Sequence, residues 1–163
     1  MNLLIIGIGQ SMRSDDGAGL AALRRWQQSF PDTPKRLSIT IDQAELPGLD
    51  LLSLLEGFEA AILIDAVQSD APPGTIHKLT ESDLLGFSKG YQTAHGWGVA
   101  ESLRLARQLG MHLPKQILLI GIEAVDFSPG INLSPSVLSA LDHAAQVIED
   151  SATIILNQLN DFG

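Results

Sequence analysis

The chain has 163 residues, of which 45% are hydrophobic and 18% charged, and residues 1–163 are therefore expected to form a single domain with a sizeable core. Its formal net charge of −9 argues against nucleic acid or an anionic membrane as a partner, because there is too little basic surface to neutralise phosphates. The absence of cysteine excludes disulfides and thiol chemistry and suits a reducing compartment.

The chain opens on a predicted strand, a tight turn and a helix. The apolar run Leu3–Ile6 is typical of a buried strand, and Gly7 and Gly9 allow the backbone to turn where the strand ends. Asp15 and Asp16 follow at the predicted start of the helix, where free backbone N–H groups favour carboxylates. Two acids and several glycines at one strand-to-helix turn suggest a functional site.

Strands and helices alternate along the rest of the chain. The pattern predicts a helix at 18–30 ended by Pro31 and Pro34, a strand at 37–41 closing at Asp42, and a helix at 47–55. A strand at 60–64 ended by Asp65 and an edge strand at 75–79 with His77 facing solvent come next, followed by a surface loop at 81–92. The last predicted elements are a helix at 95–109, a strand at 116–121 and a helix at 135–159. This alternation predicts an α/β fold. It would be a three-layer sandwich in which helices cover both faces of an open, mostly parallel, twisted sheet of about five strands.

Residues suited to catalysis or metal binding collect at the carboxyl ends of the predicted strands, which is where open parallel sheets bind ligands. By this assignment that edge receives Asp16, Asp42, Asp65, His95 and Glu123. Two carboxylates and one imidazole can form an open coordination site for a divalent ion. The alternatives are structural: Asp16 as a helix cap, and Asp65 as the partner of a backbone turn.

Two rival interpretations of the first turn are weaker. The Gly-x-Gly run at 7–9 is similar to the start of a dinucleotide-binding fingerprint, but Met12 occupies the third glycine position and two acids would repel a pyrophosphate. Ser11 stands where a serine-nucleophile elbow would place its nucleophile, but Arg13 replaces the closing glycine. A small nucleotide-binding domain is kept as a weaker alternative.

Several segments, taken in order, resemble the hydrogenase maturation proteases, and the resemblance covers nearly the whole chain. They are the Gly-x-Gly turn, SDDGAG at 14–19, LIDAV at 63–67, PGT at 73–75, TAH at 93–95, LIGIE at 119–123 and LSP at 133–135. These endopeptidases trim the C-terminus of a nickel–iron hydrogenase large subunit after nickel has been inserted. The resemblance implies that the partner is the precursor of such a subunit and that the nickel is carried by this substrate.

The resemblance also implies roles for individual residues. Asp16, Asp65 and His95 match the metal-contacting and catalytic positions, which leaves Asp15 as a cap or structural partner. Asp42 matches a position tied to substrate selection, and Gln10, which stands where the family usually has an asparagine after the Gly-x-Gly turn, is assigned to substrate selection with it. Either metal-activated water or a carboxylate acting as general base could cleave the peptide bond.

A different class of function uses the same residues. A binding module or chaperone that recognises a nickel-loaded partner without cutting it would need the same ligands, so it stays as the main alternative. The sequence shows neither a signal peptide nor eighteen consecutive apolar residues. We therefore expect a cytoplasmic protein without membrane insertion.

Overall fold

The computed structural model describes residues 2–36, 38–45, 49–86, 92–93 and 98–161. The strands are β1 (Leu3–Ile8), β2 (Ile39–Ala44), β3 (Ala60–Gln68), β4 (Ile76–Thr80), β5 (Gln92–Thr93) and β6 (Gln116–Glu123). The helices are α1 (Ala18–Ser29), α2 (Thr33–Arg36), α3 (Leu49–Leu55), α4 (Glu81–Gly86), α5 (Val99–Gln108) and α6 (Pro135–Asp161), and a single 3-10 turn (Ser14–Gly17) precedes α1. None of the helices in these ranges is long and apolar enough to cross a membrane.

The strands form one sheet in the order β2-β1-β3-β6-β4. The first four are mutually parallel, while β4 pairs antiparallel with β6 at one edge. The two-residue β5 pairs antiparallel with the carboxyl end of β3. The predicted α/β fold, with five main strands and a mostly parallel sheet, is confirmed.

Each face of the sheet carries its own hydrophobic core, because side chains alternate along the strands. Leu3 and Ile5 of β1 belong to the core that α1 and α6 cover. Leu4, Ile6 and Ile8 belong to the core that α3 and α5 cover. The apolar runs of β1 and β3 are thus buried on both sides, as expected of central strands in a parallel sheet.

Close packing of α1 on the sheet fixes where the turn after β1 lies. A Cβ atom at Gly19 would stand 2.2 Å from the carbonyl oxygen of Ile64 and 2.4 Å from that of Ile8. Only glycine lets the first turn of α1 approach β1 and β3 this closely. The carboxyl end of β1, the middle of β3 and the start of α1 therefore meet at one point.

Three predicted strand ends were wrong. β3 continues beyond Asp65 to Gln68, since it pairs there with both β6 and β5. β2 continues to Ala44, so Asp42 lies inside the strand opposite Ile6. β6 likewise continues to Glu123. In β2 and β3 an aspartate that resembles a strand terminator, and in β6 a glycine, is kept in the ladder by pairing with the neighbouring strand.

Two predictions about the intervening segments were also wrong. The predicted surface loop begins with α4, which Thr80 starts: the Thr80 N–H donates to Asp83 Oδ2 at 2.8 Å, and the Asp83 N–H donates to Thr80 Oγ1 at 3.2 Å. This reciprocal arrangement is that of a capping box. Pro34 does not end a helix but lies in the first turn of the short α2.

Candidate functional site

Asp16 is held at the carboxyl end of β1 by the shape of the turn. Gly9 has a φ of +145°, and a Cβ atom there would stand 2.0 Å from the Asp16 carbonyl oxygen. Glycine is therefore required, and the chain folds back tightly enough for the Gln10 N–H to donate to Asp16 Oδ2 at 3.1 Å. The Asp16 side chain is fully buried, so its position is set by the backbone around it.

Asp65 lies in β3, in register with Gly121 of β6, and is fully buried. The Ala66 N–H donates to its Oδ1 at 2.8 Å, whereas its Oδ2 has no hydrogen-bond partner within the described ranges. Burial raises the pKa of Asp65 well above its usual value, and the negative charge of nearby Asp16 raises this pKa further. The two carboxylates therefore share a dry environment that favours a cation or a proton.

His95 lies outside the described residues, so its predicted contact with these acids stays a prediction. The nearest described segment before it is β5, in which Thr93 pairs with Val67, two residues beyond Asp65. Considering the described ranges alone, no group of three His, Asp or Glu side chains could hold a metal ion. The structure thus brings Asp16 and Asp65 together, while the third predicted residue lies outside the described part of the chain.

The two predicted substrate-selecting residues have different surroundings. Asp42 is half-buried, and its Oδ1 accepts a hydrogen bond from the Gln43 N–H at 2.7 Å. Ile6 pairs with both Asp42 and Leu63, which places Asp42 and Asp65 on the same face of the sheet. Gln10 is half-buried in the turn that holds Asp16. Their role in selection stays a prediction.

Glu123 lies at the carboxyl end of β6, as predicted, but its carboxylate holds neighbouring segments together. Its carboxylate accepts hydrogen bonds from Ser69 N–H at 2.6 Å and Ser69 Oγ at 2.9 Å, and its Oε2 lies 3.0 Å from His77 Nε2. The prediction that His77 faces solvent was wrong, because the ring is half-buried against this acid. Glu123 therefore fastens the β3–β4 connection and the edge strand to β6.

Asp15 has a structural role, and it accepts more hydrogen bonds from distant parts of the chain than the sequence predicts. Its fully buried carboxylate accepts hydrogen bonds from the N–H groups of Val125 (3.0 Å), Asp126 (3.1 Å) and Ser134 (2.7 Å) and from Ser134 Oγ (2.8 Å). These donors lie on the connection between β6 and α6. Asp15 thus ties that connection to the turn that carries Asp16.

The geometry of the turn disagrees with a dinucleotide site. Gly7 and Gly9 are needed for close packing, since Cβ atoms there would meet Leu23 and the Asp16 backbone. The Gln10 N–H, which a phosphate would require, already donates to the carboxylate of Asp16. The turn is therefore built to hold an acid.

Comparison with known proteins gives consistent results. A family model described as hydrogenase maturation protease matches residues 36–151. A hydrogenase expression/formation protein, HupD, from Thiocapsa roseopersicina is 28% identical, and the match covers 88% of this chain and 68% of that protein. The hydrogenase 2 maturation protease of Escherichia coli is 24% identical, with 91% of this chain and 88% of that protein covered.

Two solved structures have the same fold. The [NiFe] hydrogenase maturation protease HybD from Thermococcus kodakarensis superposes with a TM-score of 0.71 at 26% identity, covering 93% of this chain and 99% of that one. The hydrogenase maturating endopeptidase HybD from E. coli gives a TM-score of 0.75 at 24% identity, covering 91% and 90%. The chain thus matches these proteins over nearly all of its length.

Proposed function

Because the chain belongs to the hydrogenase maturation protease family, and is therefore a peptidase acting on hydrogenase precursors, we propose that it removes a C-terminal extension from a nickel–iron large-subunit precursor. We further propose that it recognises nickel already bound by that precursor. The nickel is then part of the substrate, and Asp16, Asp65 and His95 are the residues that contact it.

The observation that carries this proposal is the environment of Asp65. A fully buried carboxylate with one oxygen lacking a hydrogen bond from any described residue is costly unless a cation or a proton compensates its charge. A second carboxylate, that of Asp16, adds negative charge at the same point. This arrangement suits a divalent cation delivered from outside.

His95 is the third residue of the proposed contact. Thr93 is paired with the end of β3 near Asp65, and two further residues can extend at most about 7 Å. The chain is therefore long enough for His95 to reach the carboxylates. An imidazole with two carboxylates is a suitable ligand set for a borderline divalent ion such as nickel.

The residues of this chain would bind and orient the tail of the precursor. The hydrogen bonds from Gln10 to Asp16 and from Ala66 to Asp65 fix both carboxylates before the substrate arrives. Held in this way, one carboxylate can accept a proton from the attacking water. The substrate-borne metal would polarise the scissile carbonyl or acidify that water.

The nickel requirement can be tested with matched substrates. Purified protein is incubated with nickel-loaded and nickel-free large-subunit precursor, and the mass of the precursor is measured. We expect shortening of the nickel-loaded precursor alone. Equal shortening of both forms would contradict nickel recognition, whereas stable binding without shortening would favour the non-cleaving chaperone.

Replacement of the proposed third contact gives a further prediction. We expect His95→Ala to lower the rate of processing by about 100-fold or more, because one of three contacts to the substrate metal is lost. The matched control is His143→Ala, since His143 is exposed on α6. Rates are measured by the mass of the cleaved precursor, with circular dichroism to check folding. Wild-type processing by the His95 variant would remove that residue from the site.

A further inference from the structure

An exposed apolar surface lies on two loops beside the proposed site. Met12, on the turn after β1, is 67% exposed, and Val125 and Ile131, on the connection from β6 to α6, are 57% and 73% exposed. We call these three residues the edge patch. They make up half of the large exposed hydrophobic residues in the described part of the chain, and all three lie on these two loops.

The two loops are fastened together and form one ordered surface. The Gly130 N–H donates to the Met12 carbonyl at 2.9 Å, and the Ser14 N–H donates to the Gly130 carbonyl at 2.8 Å. Ser14 Oγ also donates to the Ser128 carbonyl at 2.9 Å. With the buried Asp15 beneath them, these bonds fix the backbones from which Met12 and Ile131 project.

The exposure of the edge patch is not a by-product of core packing. The same connection turns Phe127 and Leu133 inward, where both pack against the core beneath α1 and α6. Val125 and Ile131 point away from that core into solvent. Apolar side chains that an ordered backbone gathers in solvent are characteristic of protein interaction sites.

The position of the edge patch identifies its occupant. Asp15, which fastens the loops, is the neighbour of Asp16, and Gln10, which donates to Asp16, lies two residues before Met12. A polypeptide whose bond is cut at Asp16 must cross this edge of the sheet. Resting on the function proposed above, we infer that the edge patch docks an apolar segment of the hydrogenase precursor that flanks the cleaved bond.

The negative charge of this protein limits which residues the docked segment can contain. Asp126, next to Val125, accepts hydrogen bonds from the N–H and Oγ of Ser128, which lower the pKa of its carboxyl and keep it ionised. The whole chain also has a formal net charge of −9. The docked segment is therefore apolar and free of acidic residues, since a carboxylate there would be repelled.

The test compares two double variants of the full-length protein. Met12→Ser with Ile131→Ser removes apolar surface from the edge patch. Leu109→Ser with Ile154→Ser is the matched control, because these residues are 66% and 50% exposed and lie at the end of α5 and on α6, outside the two loops of the edge patch. Binding of nickel-loaded precursor is measured directly, and KM and kcat are measured from the mass of the product.

We expect the edge-patch variant to bind about tenfold or more weakly and to show a correspondingly raised KM, with kcat within about twofold of wild type. The control variant should match wild type. Unchanged binding and KM in the edge-patch variant would overturn the inference while leaving the proposed function intact. Binding that depends on the edge patch, without any cleavage by wild type, would overturn the proposed function and support the docking surface.

Discussion

At the scale of single residues, the burial of Asp65 marks a candidate site, because burying a carboxylate lowers the stability of the fold. The side chain is fully buried in a central strand, and burial raises its pKa because the charged form loses hydration. A folded protein keeps such a group only when another interaction compensates for it or when function requires it. Asp65 thus trades stability for a proposed role in substrate binding.

Exchange of Asp65 for its neutral isostere should separate these two effects. Asp65→Asn is expected to abolish processing and to raise the melting temperature at pH 7 by about 2–4 °C, because the amide avoids the buried charge. The Ala66 N–H can still donate to the amide oxygen. Activity assays and thermal unfolding measure the two effects.

The pH dependence of this stability difference has a definite sign. The folded-state pKa of Asp65 is raised, so the wild type loses stability as the pH rises from the ordinary pKa of an aspartate towards this raised pKa. The variant does not, and the gap in melting temperature should be smaller at pH 4 than at pH 7. The exposed Asp32→Asn serves as control. A less stable Asp65 variant at pH 7 would contradict the expected gain.

The sequence predicted that Asp16 and Asp65 lie near each other, but it did not predict the hydrogen-bond partners of the residues around them. Asp65 follows an apolar run and Asp16 stands at a predicted helix start, both of which are local signals, and the structure brings the two residues together. The partners of His77 and Asp15 lie 46 and more than 100 residues away, so no local pattern marks them. For this reason His77 was misplaced and the reach of Asp15 was missed.

At the scale of elements, the contact of α1 with the sheet places the whole turn. Gly19 lets the first turn of α1 touch the backbones of β1 and β3 at the point where both strands approach the site. A side chain there would separate helix and sheet and move the 3-10 turn Ser14–Gly17 that carries both acids. The packing of α1 and the geometry of the candidate site therefore both depend on the absence of a side chain at Gly19.

Gly19→Ala tests this dependence. We expect a loss of about 3 kcal/mol or more in the free energy of unfolding, because the new Cβ would meet two backbone oxygens that no side-chain rotation can move. Urea unfolding followed by circular dichroism measures the loss. The comparison is Gly57→Ala, at which a Cβ meets nothing within 4 Å and the cost comes from a φ of +86°, about 1 kcal/mol. Equal losses in the two variants would show that close packing is not the cause.

The order of the elements was predictable, whereas their ends were not. Apolar runs and helical spacing gave the alternating strands and helices that the structure contains. The extensions of β2, β3 and β6 depend on pairing with neighbouring strands, which a single strand's composition does not reveal. The helix α4 lies in a segment with a weak apolar pattern, so its capping pair, Thr80 and Asp83, is the only local signal of where it begins.

At the scale of the whole molecule, two hydrophobic cores share one sheet. The core under α1 and α6 and the core under α3 and α5 use alternating residues of the same strands. Neither core can lose its strands without exposing the other. The chain should therefore unfold as a unit, as the prediction of a single domain requires.

Coincidence of two unfolding curves checks this cooperativity. Trp26 is fully buried between α1 and the sheet, and Trp97→Phe would make it the sole tryptophan. Its fluorescence in urea should change at the same midpoint as the far-ultraviolet circular dichroism, because one transition exposes both cores. Midpoints that differ beyond error would divide the chain into separately unfolding parts.

The hydrogen bonds of Asp15 also determine which parts of the chain must be synthesised before this edge of the sheet can be completed. The turn that carries Asp15 leaves the ribosome long before Val125, Asp126 and Ser134 have been added to the chain. Without these donors its carboxylate cannot be buried, and the turn stays hydrated. The edge that carries Asp16 is therefore completed only when β6 and the start of α6 have been synthesised and have folded against this turn.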